Sequence, residues 1–429
     1  MAVAELDDIQ RRAVESGAKT VIVTGGPGTG KTRVLTERFA YLTDCQGLAL
    51  SSILMLTFSS ASVARLMRDI EAIIRRSYGE LWIHTCHSFA YAVLAEFVST
   101  TAGSSQPAFI TPFKEYLLTK EILRREQQAF RSDIKRIAHK GGLAREVSDF
   151  LGLLKQRLIG ANDFSKATRN LSGYVSDIAR VYSARDEDMK RENWVGVRDV
   201  IWNLLGLFET HPELLAQYRK NFSHILVDEF HEVDPSQLRL IELLASEQTA
   251  LFATGDDEQR IYRFRGSGVG QFSDIEKGRR EAGVERFCLK TNYRLPAGLQ
   301  KASENLISHN RTGKPDIGNL SRNDASDRDI SVSAQHATSQ QTGNQLSDKC
   351  TETAARGGDV TVAQYEDAVE QAYDIARRIK REVLDSASTP VAFSYSDYAI
   401  LCRSTARSAV PFEEALSYYQ VPFVLYNAT

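Results

Sequence analysis

The run Gly25-Gly26-Pro27-Gly28-Thr29-Gly30-Lys31-Thr32 follows directly on the apolar residues Val21-Ile22-Val23, and no other stretch limits the fold as much. A short apolar run ending in turn residues reads as a buried parallel strand. The G-x-x-x-x-G-K-T spacing lets backbone N–H groups turn inward around phosphate oxygens. Gly25, Gly26, Gly28, Thr29 and Gly30 form that cradle, Lys31 reaches the β- and γ-phosphates, and the Thr32 hydroxyl is placed to hold magnesium. A helix from Thr32 to about Leu42 aims its N-terminal dipole at the same anion. The chain is therefore expected to be an α/β protein on a parallel sheet, with a nucleotide at a strand end.

At 429 residues the chain has room for two to three domains. A net charge of −2 gives no global field for a polyanion, so any nucleic-acid contact must come from a local patch. Cys45, Cys86, Cys288, Cys350 and Cys402 are scattered with no C-x-x-C pair, which argues against a zinc site or a disulfide framework. Met1–Glu5 has no basic region followed by an apolar run, and no apolar stretch approaches the ~18 residues of a membrane span. A reducing, cytoplasmic setting without a membrane partner is expected.

Strand-like Val21–Val23, Ile53–Leu56 and Trp82–His84 alternate with helical patterns at Thr32–Leu42 and Ala61–Arg76. From Thr111 to about Gly206 the pattern becomes helical and charged. Between Lys114 and Arg145 there are nine Lys/Arg against four Asp/Glu, read either as a solvated helix face or as a nucleic-acid contact. The α/β cadence returns at His224–Val227, Ala250–Thr254 and Arg286–Leu289. The polar stretch Asp316–Gly358 reads as a long loop. Beyond it, Asp359–Gln364, Tyr398–Cys402 and Pro422–Leu425 are expected as strands, with helices at Glu366–Leu384 and Pro411–Tyr419.

Two further constellations carry chemistry. Asp228 and Glu229 end the apolar run Ile225-Leu226-Val227, and paired acids there are costly unless they hold a cation or do acid–base work. Asp228 suits magnesium, and Glu229 suits orienting and deprotonating a water. After the next apolar run comes Gly255–Gly266. Gln259 there can touch both that water and the γ-phosphate, while Tyr262, Phe264 and Arg265 interleave rings with cations, a surface that stacks bases and holds strand phosphates.

In their order these motifs resemble those of the UvrD/Rep/PcrA-type superfamily 1 DNA helicases. The resemblance runs from Leu6 to about Leu425 and covers the N-terminal part of such a helicase. It implies that Gln10 of Leu6-Asp7-Asp8-Ile9-Gln10 reads adenine and that Arg33 lies against the base. Thr57-Phe58-Ser59 and the segment containing Thr85 and His87 resemble the elements that grip single-stranded DNA. In Lys290-Thr291-Asn292-Tyr293-Arg294, Tyr293 resembles the residue packing on adenine, and Arg294 the one touching the γ-phosphate. Tyr398–Ser404 with Phe412–Leu416 resembles the start of the second motor domain. His87 could equally be a buried structural histidine.

The implied fold is a P-loop NTPase: a RecA-like parallel-sheet domain at 1–110 and 207–295, a helical insertion at 111–206, and a partial second RecA-like domain at 296–429. The implied function is an ATP-dependent 3′-to-5′ helicase or translocase that binds ATP with Mg2+ and single-stranded DNA. Three departures stand out. His231 and Glu232 follow Asp-Glu-Phe where the family carries Gln and Asp, and the histidine makes that contact pH-sensitive. Phe264 stands where a tryptophan is common. No H-x-x-K-G-L-E or T-R-A-R element follows Arg294, and loss of a transition-state arginine can cost ~10³–10⁵ in rate. The chain alone is thus expected to hydrolyse slowly unless a protein partner supplies the missing half of the motor. The alternative is a non-motor, nucleotide-gated DNA-binding or regulatory subunit of a repair or defence complex.

Overall fold

The computed structural model describes residues 6–74, 79, 81–100, 107–171, 173–259, 272–279, 283–308, 361, 363–389, 392–402 and 408–426. Two compact units divide the chain, Met1–Leu295 and Pro296–Thr429.

The strands of the first unit are β1 (Thr20–Gly25), β2 (Ile53–Thr57), β3 (Trp82–Thr85), β4 (Ala108–Ile110), β5 (Trp194–Gly196), β6 (His224–Val227), β7 (Ala250–Gly255) and β8 (Val284–Leu289). Its helices are α1 (Asp8–Glu15), α2 (Lys31–Ala40), α3 (Ser60–Ile73), α4 (Cys86–Thr100), α5 (Pro112–Glu126), α6 (Ile134–Ile137), α7 (Gly141–Gln156), α8 (Ala161–Ala167), α9 (Tyr174–Arg191), α10 (Val200–Thr210), α11 (Pro212–Asn221), α12 (Pro235–Leu244) and α13 (Phe272–Gly278). Six strands form one parallel sheet in the order β3-β2-β6-β7-β1-β8. The short β4 and β5 pair separately, Ala108 opposite Trp194.

The central strands β2, β6 and β7 are mostly apolar because both sheet faces are covered there, whereas the edge strand β8 exposes Glu285 and Arg286. Along β1, Val21 and Val23 join a core with Val14 of α1, Leu35 of α2 and Ile70 of α3. Ile22 points the other way, into a core with Phe89 of α4, Leu204 of α10 and Ile241 of α12. The same period of two splits Ile53 and Met55 from Leu54 and Leu56 on β2, and Leu226 from Ile225 and Val227 on β6. Each fully buried aliphatic residue contributes about 1.5–3 kcal/mol. The helix ends are fixed by local chemistry. Asp7 with Gln10 and Asp234 with Gln237 form capping boxes on α1 and α12.

Helices α5 to α9 have their own apolar core, with Ile122, Leu123, Leu151, Val181 and Tyr182 at its centre. Beside it lies a buried ionic cluster. Arg185 of α9 reaches Glu115 of α5 at 3.1 Å and Asp199 at 3.0 Å, and Lys155 of α7 reaches Asp199 at 3.1 Å and Asp186 at 3.3 Å. Burial opposes the charge on Asp199, but Arg185 and Lys155 outweigh it and hold its carboxyl below the usual range. At Glu115 burial prevails over the Arg185 cation, and the carboxyl is raised. In the basic stretch, Arg124, Arg131, Lys135, Lys140 and Arg145 are exposed, while the Lys114 ammonium lies 3.9 Å from the centre of the Trp194 ring.

His224 opens β6 with Nδ1 3.1 Å from Ser223 Oγ. Burial, helped by the Arg38 and Lys19 cations, depresses its pKa to about 4. The unfolded chain, with a histidine value of ~6.5, binds this proton first. Stability from the neutral ring is therefore full above ~6.5 and is lost as the pH falls from there towards about 4. Thermal unfolding between pH 7.5 and 4.5 is expected to show a falling Tm that His224→Gln flattens. Parallel slopes for the two proteins would rule the imidazole out as the cause.

The second unit holds α14 (Ala297–Ser308), α15 (Ala368–Ser386) and α16 (Val410–Tyr418). Ala372, Ala376 and Ile379 of α15 pack on Phe412, Ala415 and Leu416 of α16, with Val421 beside them. The strands expected at Tyr398–Cys402 and Pro422–Leu425 do not form: neither segment is in a sheet. Burial nevertheless alternates along the first, where Tyr398, Ile400 and Cys402 pack on the helix pair while Leu401 is 92% exposed. An apolar face alone does not make a strand, because the ladder needs a neighbour. Of Asp359–Gln364, the described residues 361, 363 and 364 are in no strand either. The loop expected at Asp316–Gly358 lies outside the described residues, as do Arg403 and Ser404. Among the described residues no helix is long and apolar enough to cross a membrane.

Candidate nucleotide and nucleic-acid site

Strands β1, β6 and β7 are near neighbours in the sheet, and their C-terminal ends carry the phosphate loop, Asp228-Glu229 and Gly255-Asp256. Such strand ends are where open α/β sheets bind ligands.

The loop between β1 and α2 needs its glycines for two separate reasons. Gly28 and Gly30 have φ of +80° and +85°, the left-handed region. A Cβ on Gly28 would also lie 2.4 Å from Asn292 Oδ1, and one on Gly30 would lie 2.8 Å from Gln10 Nε2. The loop is thus clasped from two sides. Gln10 donates from Nε2 to the Thr29 carbonyl at 3.1 Å, and the Tyr293 amide donates to the Gly28 carbonyl at 2.9 Å. Thr29 Oγ1 donates to the Gly26 carbonyl at 2.9 Å. Lys31 Nζ donates to the carbonyls of Gly25 at 2.7 Å and Gly26 at 3.1 Å. Burial lowers the Lys31 pKa, against the pull of Asp256, Glu229 and Asp228.

Thr32 Oγ1 donates to Asp228 Oδ2 at 3.2 Å, and Thr254 Oγ1 donates to Asp228 Oδ1 at 2.6 Å. A hydroxyl and a carboxylate this close, beside a phosphate cradle, are hard oxygen donors of the kind magnesium takes together with phosphate oxygens and water. The residues present therefore fit such an ion. Glu229 adopts φ 52° and ψ 44°, a left-handed turn that carries its side chain out of the strand direction. Burial and the neighbouring Asp228 raise its carboxyl pKa, while His231 and Lys31 oppose the shift. Asp256 accepts from Gln259 Nε2 at 2.7 Å and thereby fixes that amide.

Gln10 is 1% exposed, and both ends of its amide are engaged, Oε1 by the Asp7 amide and Nε2 by Thr29. Tyr293 is 57% exposed, and its hydroxyl donates to Asp7 Oδ2 at 2.8 Å. Arg33 Nε lies 3.9 Å from Glu37. Arg294 acts electrostatically on Lys31.

The residues expected to grip a strand lie at the same sheet end. Thr57 of β2 is directly opposite Thr85 of β3. Phe58 is partly exposed, and Ser59 caps α3 by accepting from the Ser62 amide at 3.1 Å. Thr85 Oγ1 accepts from the Ser88 amide at 3.0 Å. Thr57 is buried, and its hydroxyl oxygen has no hydrogen-bond partner among the described residues. Burial lowers the His87 pKa, with Asp234 opposing. Tyr262, Phe264 and Arg265 lie outside the described residues.

Sequence reasoning missed Thr254, Asp256, Asn292 and Asp7 as supports of the site. For Asp7 a signal existed: an aspartate followed three residues later by a glutamine is the mark of a capping box. Asn292 Oδ1 accepts from the amides of Arg294 and Leu295, each at 2.9 Å, a side-chain turn that sequence spacing does not disclose.

Residues 6–279 match the family model described as the UvrD/REP helicase N-terminal domain. The chain is 26% identical over 426 residues to an ATP-dependent DNA helicase PcrA of Staphylococcus epidermidis, covering 99% of this chain and 51% of that protein. It is 27% identical over 307 residues to the PcrA of Staphylococcus aureus, covering 71% of this chain and 40% of that protein. The chain therefore spans about half the length of the curated relatives it matches. A family match over more than half of the sequence, on a parallel sheet whose strand ends carry the motifs in the family's order, makes this chain a member of the UvrD/REP helicase family.

Proposed function

We propose that this chain is the ATP-binding part of an ATP-dependent DNA helicase. It takes ATP on the phosphate loop, with magnesium held by Thr32 and Asp228 to offset phosphate charge. Glu229 and Gln259 orient the attacking water, and Glu229 takes its proton. Gln10, Arg33 and Tyr293 surround the base, and Arg294 faces the γ-phosphate. Thr57, Phe58, Ser59, Thr85 and His87, with Tyr262, Phe264 and Arg265, hold single-stranded DNA by stacking and uncharged phosphate contacts. Movement is 3′ to 5′, as the family resemblance implies, and the setting is cytoplasmic.

The observation that carries this reading is the ladder joining the two sets of residues. The Asp228 amide donates to the Leu56 carbonyl at 2.8 Å, so the acidic strand end is hydrogen-bonded to the strand that leads into Thr57–Ser59. Binding of labelled ATP, and of a single-stranded oligonucleotide with and without nucleotide, tests it. Magnesium-dependent ATP binding that Lys31→Ala removes is expected, together with oligonucleotide affinity that changes when ATP is present. Oligonucleotide binding indifferent to nucleotide would defeat the coupled-motor reading.

A further inference from the structure

We propose that Asp7 is a positioning residue of the nucleotide site: its carboxylate holds the Tyr293 hydroxyl against the start of α1 and so fixes the stacking ring before a nucleotide arrives. The inference rests on the placement of the base against Gln10, Arg33 and Tyr293 proposed above, and deepens it.

Tyr293 is held at both ends. Its amide donates to the Gly28 carbonyl at 2.9 Å, and its hydroxyl donates to Asp7 Oδ2 at 2.8 Å. Between these anchors the residue is 57% exposed. An exposed aromatic side chain is ordinarily free to change rotamer within nanoseconds. Anchoring its main chain and its far end removes that freedom and still leaves the ring open to solvent. A rigid, uncovered ring suits stacking, because little ordering remains to be done on binding.

Asp7 can hold the ring because it is itself fixed. Its Oδ1 caps α1 by accepting from the Gln10 amide at 2.8 Å, and Gln10 Oε1 accepts from the Asp7 amide at 3.1 Å. The two carboxylate oxygens thus serve different elements, Oδ1 the helix and Oδ2 the tyrosine. From Gln10 the contacts run on through Nε2 to the Thr29 carbonyl at 3.1 Å, and Thr29 adjoins Gly28. Asp7, Gln10, the loop at Gly28–Thr29 and Tyr293 therefore close a circuit. Its one link between two side chains is Tyr293 to Asp7, so opening that link frees the ring without disturbing the cap or the loop. The bond to Asp7 also raises the pKa of the Tyr293 hydroxyl, with partial burial and the Asp7 charge adding to it and Thr291 and Arg33 opposing.

The test uses the full 429-residue chain. Asp7→Ser keeps a good cap and the capping-box pattern with Gln10, but its shorter side chain does not reach the tyrosine. Asp7→Asn keeps an oxygen for the Gln10 amide and offers an NH2 group to the tyrosine oxygen, which then accepts. The probes are ATP and inorganic tripolyphosphate, each with magnesium; the second has the phosphates and no base. Asp7→Ser and Tyr293→Phe are each expected to weaken ATP binding about 3- to 10-fold, and the double variant no further than either single one. Tripolyphosphate binding should stay within about twofold throughout, and Asp7→Asn should keep ATP affinity within about twofold. Carbon-13 titration of the tyrosine rings, with Tyr293→Phe as the assignment, should show the Tyr293 hydroxyl ionising at lower pH in Asp7→Ser. Wild-type ATP affinity in Asp7→Ser, an equal loss of tripolyphosphate, additive losses in the double variant, or an unmoved Tyr293 titration would overturn the proposal. Wild-type ATP affinity in Tyr293→Ala would count against the placement of the base instead. The titration would then still decide whether Asp7 holds the ring.

Discussion

Glu229→Gln is expected to slow ATP hydrolysis by about 10²–10⁴ while leaving ATP affinity within about threefold, the range a positioned general base supplies. The two effects separate because different elements produce them. On the proposed function nucleotide affinity comes from the loop of Gly25 to Thr32, which Gln10 and Tyr293 clasp without help from Glu229. Proton removal needs a carboxylate, and glutamine keeps the shape and the hydrogen bonds but cannot take a proton. The backbone is prepared for this role. A non-glycine residue at φ 52° costs about 1–2 kcal/mol, and the turn survives because Phe230 beside it is fully buried and the Glu232 amide bonds the Glu229 carbonyl at 2.9 Å. Quench-flow hydrolysis alongside equilibrium ATP binding checks the prediction. A rate within tenfold of wild type would remove Glu229 from the role of base.

Arg185→Ala should destabilise the first unit by about 3–5 kcal/mol, as expected for removing one member of a buried charge cluster. Glu115 and Asp199 would then face each other without the guanidinium that lies 3.1 Å from one and 3.0 Å from the other. Gly196 closes the space around them, since a Cβ there would lie 2.5 Å from Glu115 Oε1. Adding Glu115→Gln to Arg185→Ala should recover part of the loss, because it deletes the carboxylate left without an ion pair, while Asp199 keeps Lys155 at 3.1 Å. The pair should therefore be non-additive. Urea unfolding followed by tryptophan fluorescence reads this directly, as Trp194 and Trp202 flank the cluster. A loss below about 1 kcal/mol would mean that water solvates the Glu115 carboxylate.

The central strands of the large sheet were legible in the sequence because apolar runs such as Val21–Val23, Ile53–Leu56 and Ile225–Val227 are what a sheet covered on both faces demands. β4 and β5 were not, since three residues such as Ala108-Phe109-Ile110 are too few to show a period. The ionic cluster was hidden for a different reason. Arg185, Glu115 and Asp199 look like surface charges along a helical pattern, and only the packing of α5, α7 and α9 reveals that they are enclosed. Tyr398–Cys402 misled because an apolar run says nothing of a ladder partner. At the site, the phosphate loop and the acidic strand end were readable from residue type and spacing alone. Their supports, Thr254, Asp256 and Asn292, were not, because each acts through a contact between segments distant in sequence or through a turn that spacing does not encode.

The ladder that pairs Thr57 with Thr85 and Leu56 with Val227 has a mechanical side. Residues that would hold a strand and residues that would hold phosphates are mounted on one hydrogen-bonded plate, with neighbouring strands about 4.8 Å apart. Stretching that spacing would break the ladder, so the plate is stiff along the line joining the two functions. The distance between the two sets of residues is therefore fixed by the ladder.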